Sequence, residues 1–265
     1  MAYRLALLGD PVDHSRSPAI HRILLELSDL DGEYTTVRAD RARLVEAIAG
    51  LRSGYWDGLN VTMPLKADAA ELADRLASEA ARAASVNTLV RVADAVVGHS
   101  TDAVAFSALL GDPRFEGAAP IHLLGAGGSA AAALAAIADS VDVYLSARRP
   151  EAAWSLVHRM GTDARPRNME VLAWGTAVAG ALLVNTTPLG MEGESLPRPL
   201  LEGARGLIDL PYGPAETPAA ALARQRGLPL ADGNEFLVRQ AMASFTIWTG
   251  ADPSYPSVVN RLRKA

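Results

Sequence analysis

The chain contains no cysteine. That absence removes disulfides, thiolate metal ligands and a cysteine nucleophile, and it fits a reducing compartment, so a cytoplasmic location is expected. No long hydrophobic run is present either. Arg4 interrupts the opening "MAYRLALLGD" too early for a signal peptide. The alanine-rich run Ala130–Ala138 is closed by Asp139 and Asp142, short of the roughly 18–20 apolar residues of a membrane span. Positive charge is in deficit, 25 Lys and Arg against 30 Asp and Glu for a net charge of −5. That argues against a nucleic acid or an anionic membrane as partner. His, Asp and Glu nowhere fall at metal-ligand spacing, so no metal is expected. Repeats, low-complexity tracts and long linkers are also missing.

What remains is ordinary in bulk: 265 residues, 49% apolar and 21% charged, enough for one large domain or two modest ones. Short, partly β-branched runs alternate with longer Ala- and Leu-spaced ones. "RLALLG", "GEYTTVRA", "WDGLNVTM", "PIHLLG", "DVYLSA", "MEVLAW", "ALLVNTT" and "RGLIDLP" read as strands. "SPAIHRILLEL", "RARLVEAIAGL", "SAAAALAAIA", "AAWSLVHRM" and the long "EFLVRQAMASFTIWTG" read as helices. The β-then-α order predicts an α/β fold with mainly parallel sheets covered by helices. A turn-rich seam, "GDPRFEGAAP", precedes a fresh βαβ series. It divides the chain into two lobes near residue 105.

"HLLGAGGSAAAALAAI" fits G-x-G-x-x-A at Gly125, Gly127 and Ala130, after a predicted strand and opening a predicted helix. That context lets backbone at Gly125, Ala126, Gly127, Gly128 and Ser129 approach a pyrophosphate at a helix N-terminus. A plain turn is the alternative. The next strand ends in "YLSARRPEAA". It carries no acidic residue for a ribose 2′-hydroxyl, whereas Arg148 and Arg149 suit a 2′-phosphate, so NADP(H) is expected over NAD.

"HSRSP" (His14–Pro18), "NVTMPLK" (Asn60–Lys66), "SVNTL" (Ser85–Leu89) and "GHSTD" (Gly98–Asp102) fall in the first lobe, and "NTTPLGM", "DLPYGPAETP" and "DGNEFLVRQA" follow. In this order, along nearly the whole chain, the series resembles the shikimate dehydrogenase family, with quinate/shikimate dehydrogenases among its relatives. The resemblance implies reversible hydride transfer between NADPH and 3-dehydroshikimate in aromatic amino acid biosynthesis. It implies a substrate domain over 1–104 joined by C-terminal helices over 236–265, a Rossmann NADP-binding domain over 105–235, and a cleft between them. It gives Lys66 and Asp102 as a proton-transfer pair. Ser15 and Ser17 would bind the substrate carboxylate, and Thr62, Asn87, Asp102, Tyr212 and Gln240 its hydroxyls. Thr186, Leu210 and Gly233 would join the cofactor site. The small-molecule substrate is the expected partner, and the protein a monomer or homodimer.

The residues have bland readings too. Ser17, before a proline, suits a helix N-cap, Lys66 a solvated surface charge, and Asn60, Thr62, Asn87 and Gln240 turns or caps. His14 and His21 would support the turn they flank. Three departures stand out against the family. Ser100, Ala103 and Ala105 replace an Asn and two Gly, so the loop after Asp102 is expected to be set differently. "LSARR" lacks an Asn before its arginines. Glu235 and Phe236 replace a Gly and a Met beside the expected nicotinamide. A carboxylate there would disfavour the cofactor or recognise a cationic group, which keeps open a paralogue acting on quinate or an amino analogue such as aminoshikimate. A non-catalytic NADP(H) or metabolite binder is a further alternative, as is another two-lobed dehydrogenase such as a methylenetetrahydrofolate enzyme, although the "HSRSP" serines suit a small carboxylate better than a folate.

Overall fold

The computed structural model describes residues 2–117, 119–161, 165–213 and 215–264. Ala118 of the turn-rich seam and Pro214 of "DLPYGPAETP" lie outside the described residues. The chain divides into two units, Met1–Ala105 with Leu237–Ala265, and Phe106–Phe236.

The chain opens with β1 (Tyr3–Gly9), α1 (Ser17–Leu27), β2 (Gly32–Arg38), α2 (Arg41–Ser53) and β3 (Gly58–Val61). Next come α3 (Lys66–Leu72), β4 (Arg75–Leu76), α4 (Ser78–Ala83), β5 (Thr88–Val92), β6 (Ala95–His99) and α5 (Thr101–Leu110). Past a 3₁₀ turn at Pro113–Phe115 lie β7 (Ile121–Leu124), α6 (Gly128–Ala136), β8 (Val143–Ser146), α7 (Pro150–Met160) and β9 (Met169–Leu172). Then come β10 (Leu182–Asn185), α8 (Arg198–Glu202), β11 (Gly206–Asp209), α9 (Pro218–Gln225) and β12 (Leu230–Asp232). The chain closes with α10 (Gly233–Thr249) and α11 (Tyr255–Leu262).

Local chemistry sets several of these boundaries. The Asp40 side chain accepts from the Arg43 N–H at the start of α2, and Gly54, at φ 78°, ends that helix in the left-handed region. Thr217 caps α9 through the Ala220 N–H. The inner residues of β1, "LALLG", are buried, as expected of a strand paired on both sides.

The first sheet has the order β2-β1-β3-β5-β6-β4. β1 runs parallel to β2 and β3, but β5 is antiparallel to both β3 and β6. The parallel expectation therefore holds for only part of this sheet. A two-residue link, Ala93–Asp94 with Ala93 at φ 54°, returns β5 directly into β6, which only an antiparallel pair permits. The core beneath includes Leu8, Leu44, Ile48, Leu51, Leu59 and Leu89. A second cluster seats α10 and α11 on α1 through Ile20, Leu24, Ala241, Phe245 and Val258. Trp248 lies flush on Gly58, where an added Cβ would sit 2.4–2.5 Å from the indole. Its Nε1–H donates to the Leu89 carbonyl at 3.1 Å.

The second sheet is parallel throughout, in the order β12-β11-β10-β7-β8-β9. Counted from β7 this is the doubly wound order 3-2-1-4-5-6. The topological switch falls between β7 and β10. Carboxyl ends of parallel strands flanking a switch are where such sheets bind ligands, so the order alone marks the edge formed by Gly125 and Thr186.

Candidate active site

In the first unit, reversal of β5 brings four chain segments to one edge of the sheet. The carboxyl ends of β1, β3 and β6 meet the amino end of β5 there. They carry Ser15 and Ser17, Thr62 and Lys66, Asp102, and Asn87. The Lys66 ammonium donates to Asp102 Oδ2 at 2.5 Å. Their side chains are only 16% and 6% exposed, so the surface reading of Lys66 fails. Asn87 Nδ2 donates to Asp102 Oδ1 at 3.0 Å and lies 3.4 Å from Gln240 Oε1. Gln240 arrives on α10, from the far end of the sequence. Lys66, Asp102, Asn87 and Gln240 thus form one connected group.

Asp102 does not precede a loop. It stands in the first turn of α5, and the Ser100 hydroxyl accepts from the Ala103 N–H at 3.4 Å. Ala103 and Ala105 are buried on that helix. Side chains at these departures extend the helix and fill its packed face, which corrects the expected loop.

Ser17 is not an N-cap. It is the first residue of α1, the cap position is Arg16, and the Ser15 hydroxyl accepts from the Ser17 N–H at 3.2 Å. Ser17 is buried and Ser15 half-buried. Thr62 packs its methyl against Gly9, where a Cβ would lie 2.3 Å from Cγ2. That contact holds the ends of β1 and β3 together.

Beneath the Lys–Asp pair lies a buried polar layer that sequence reading largely missed. Asn60 Nδ2 lies 3.0 Å from each of the Asn87 carbonyl, Thr88 Oγ1 and Ser244 Oγ, its two N–H groups shared among the three acceptors. Tyr34 O–H donates to Asn60 Oδ1 at 2.8 Å. The Thr101 N–H donates to Asn87 Oδ1 at 2.7 Å. These contacts fix the Asn87 amide so that its N–H₂ points at Asp102. Ser244 could have been found, since it follows Gln240 by one helical turn. His21 does not support its turn. It is fully buried, stacked on Tyr34 at 4.1 Å, and neither ring nitrogen has a hydrogen-bond partner among the described residues. Burial pushes its pKa down to about 3, with Asn60 nearby only partly opposing.

In the second unit, Gly125 takes φ 115° and a Cβ there would lie 2.5 Å from Thr186 Oγ1. Only glycine fits both demands. Thr186 O–H donates to the Leu124 carbonyl at 2.7 Å across the switch. Gly127 is the N-cap of α6, and a Cβ there would meet nothing within 4 Å. Ala126, Gly128 and Ser129 complete this turn. Arg148 and Arg149 are exposed just past β8. Leu210 follows β11, its N–H bound to the Asn185 carbonyl at 3.0 Å, and Gly233 follows β12. The cofactor candidates therefore share the carboxyl edge of one sheet. Open space over Gly127 and two outward guanidiniums fit a phosphorylated dinucleotide. Tyr212 lies in this unit, half-buried in the segment after β11.

Sequence reading gave no role to Asn185, Asp209 and Thr217. Asn185 donates to Asp209 Oδ1 at 2.7 Å and Thr217 O–H donates to Oδ2. Burial pushes the Asp209 carboxyl up in pKa, against those two hydrogen bonds. The trio ties the loops after β10 and β11 together. Glu235 and Phe236 are also accounted for. The Glu235 carboxylate is gripped by Arg114, at 2.7 and 3.1 Å, and Phe236 is buried on Phe106, with ring centroids 4.7 Å apart. The charge that suggested a cationic substrate is already paired. Among the described residues, no group of three or more His, Asp or Glu is placed to hold a metal ion, and no helix is long and apolar enough to cross a membrane.

Residues 7–89 match the family model for the shikimate dehydrogenase substrate binding domain. The chain is 39% identical over 257 residues to the NADP(+) shikimate dehydrogenase of Acidiphilium cryptum, covering 94% of this chain and 92% of that one. It is 38% identical over 252 residues to that of an Anaeromyxobacter strain, at 92% and 90% coverage. Among solved structures, the shikimate 5-dehydrogenase of Thermus thermophilus in complex with NADP(H) and shikimate superposes with a TM-score of 0.84 and 31% identity, over 99% of both chains.

Proposed function

The chain belongs to the shikimate dehydrogenase family, and on that premise we propose that it interconverts 3-dehydroshikimate and shikimate with NADP(H), using Lys66 and Asp102 as the proton-transfer pair. The reaction is a step of aromatic amino acid biosynthesis, and we place it in the cytoplasm with the NADPH pool. The observation that carries the residue assignment is the sheltered Lys66–Asp102 pair at 2.5 Å. Nothing about helix stability asks for it: Lys66 opens α3, the helix end that disfavours a cation. A buried ion pair is also a poor source of net stability. The placement makes sense if the ammonium serves a reacting oxygen.

In this reading the hydroxyls of Ser15 and Ser17 hold the substrate carboxylate. Thr62, Asn87, Gln240 and Tyr212 take ring hydroxyls. NADPH supplies the hydride, bound along Gly125–Ser129, Arg148, Arg149, Thr186, Leu210 and Gly233. During reduction the Lys66 ammonium gives its proton to the oxygen that becomes an alkoxide. During oxidation the neutral amine takes the hydroxyl proton. Asp102 aims Lys66 and accepts from a neighbouring substrate hydroxyl, and its own rotamer is fixed by Asn87. With Glu235 committed to Arg114, no observation favours the amino analogue over shikimate.

Proton transfer by a positioned side chain is worth about 10²–10⁴-fold. Lys66→Ala is expected to lose about that much in kcat while its far-UV circular dichroism matches the parent. Full turnover by a folded variant would remove Lys66 from the mechanism.

A further inference from the structure

Arg114 stands in the 3₁₀ turn that follows α5, inside the turn-rich seam and outside the motifs assigned to the site. Its guanidinium has five N–H groups, and the structure uses all of them. Nε and Nη2 donate to the two oxygens of Asp112 at 3.0 and 2.9 Å. Nη2 and Nη1 donate to the two oxygens of Glu235 at 2.7 and 3.1 Å. Nη1 also donates to the Leu230 carbonyl at 2.9 Å. One planar cation thus pins the 3₁₀ turn, the start of β12 and the first turn of α10 to one another. Paired bidentate contacts of this kind fix orientation as well as distance.

Both ends of the clamp are aimed. Asp112 Oδ1 also accepts from the Arg114 N–H at 3.0 Å, and Asp232 Oδ1 accepts from the Glu235 N–H at 2.9 Å. Between Asp232 and Glu235 lies Gly233, at the carboxyl edge of the parallel sheet. A Cβ there would lie 2.3 Å from the Leu210 carbonyl oxygen and 2.6 Å from that of Pro211. The turn is therefore set by backbone contact on one side and by the Arg114 clamp on the other. A neutral carboxamide such as that of nicotinamide is recognised by backbone N–H and C=O groups, whose aim depends on such a turn staying put.

We propose that Arg114 is a positioning residue for the cofactor: through Glu235 it fixes the first turn of α10, and with it the Gly233 backbone that meets the nicotinamide. The inference rests on the NADP(H) reading above and adds a residue to it. A lysine at 114 keeps the charge, but its three donors cannot reproduce the five contacts of the guanidinium fork, two to each carboxylate and one to the carbonyl.

The test is NADPH affinity by fluorescence titration of the full chain, with KM for shikimate and thermal midpoint measured alongside. Arg114→Ala and Arg114→Lys are both expected to weaken NADPH about tenfold, with the shikimate KM unchanged. Glu235→Gln, a milder change, is expected to fall between them and the parent. The double variant R114A/E235A is expected to be no weaker than R114A, because the two residues act as one unit. Variants that lower the thermal midpoint but bind NADPH as the parent does would overturn the proposal, as would additive losses in the double variant. Failure of the unaltered protein to bind NADPH would instead overturn the NADP(H) reading itself.

Discussion

At the scale of single residues, His21 shows how burial and chemistry diverge. Its imidazole fills an aromatic box of Tyr34, Phe245 and Trp248 and stays neutral in the fold down to about pH 3, against 6.5 for the exposed ring. The unfolded chain therefore binds a proton that the folded chain refuses. His21 costs no stability above about pH 6.5, and its destabilising share grows as pH falls from there towards 3. At pH 4.5 that share is about 2–3 kcal/mol. His21→Phe is expected to recover about that much of the loss between pH 7 and pH 4.5, read from urea midpoints at both pH values. His122, pushed down to about 4 by burial, remains in both proteins and cancels in the comparison. An equal pH dependence of variant and parent would refute the account of His21. Sequence could not have shown this. A histidine three residues past "HSRSP" looks like part of the turn until the indole and the phenol close over it.

The pairing of Lys66 with Asp102 was legible only through the family resemblance, since the local sequence left Lys66 a solvated surface charge. Lys66 and Asp102 came from "NVTMPLK" and "GHSTD" together, and the structure joins them. Glu235 was misread because its partner, Arg114, lies 121 residues away. A carboxylate beside an expected cofactor site looks like recognition chemistry until the guanidinium that neutralises it is in view.

At the scale of elements, apolar runs such as "RLALLG" and the glycine turn before α6 could be read directly, since local pattern dictates both. The reversal of β5 could not. A strand's direction depends on the length of the link that follows it, and "ADA" after "TLVRV" is a weak turn signal without glycine or proline. Yet that reversal carries Asn87 to the edge where it holds Asp102. The seat of α10 was equally hidden. It depends on the missing side chain at Gly58, which admits the Trp248 indole. Gly58→Ala is expected to cost about 1–3 kcal/mol of stability through overpacking, measured by urea unfolding. It should leave NADPH binding intact, because Gly58 and Trp248 belong to the first unit. A variant as stable as the parent would mean the indole moves aside freely.

At the scale of the whole molecule, the two sheets follow different logic. A mixed sheet gathers the Lys66–Asp102 pair over a buried polar layer. A parallel, doubly wound sheet offers a glycine turn, two outward arginines and a switch point. Each edge is specific in chemistry: hydroxyls, an ammonium and a carboxylate on the first, backbone amides and guanidiniums on the second. The central claim joins them as an NADP-linked oxidation of shikimate. Its most direct test is the initial rate of the purified protein with shikimate, quinate and aminoshikimate, each with NADP+ and with NAD+. The account predicts the highest kcat/KM for shikimate with NADP+. No turnover of shikimate beside good turnover of either analogue, or a clear preference for NAD+, would contradict it.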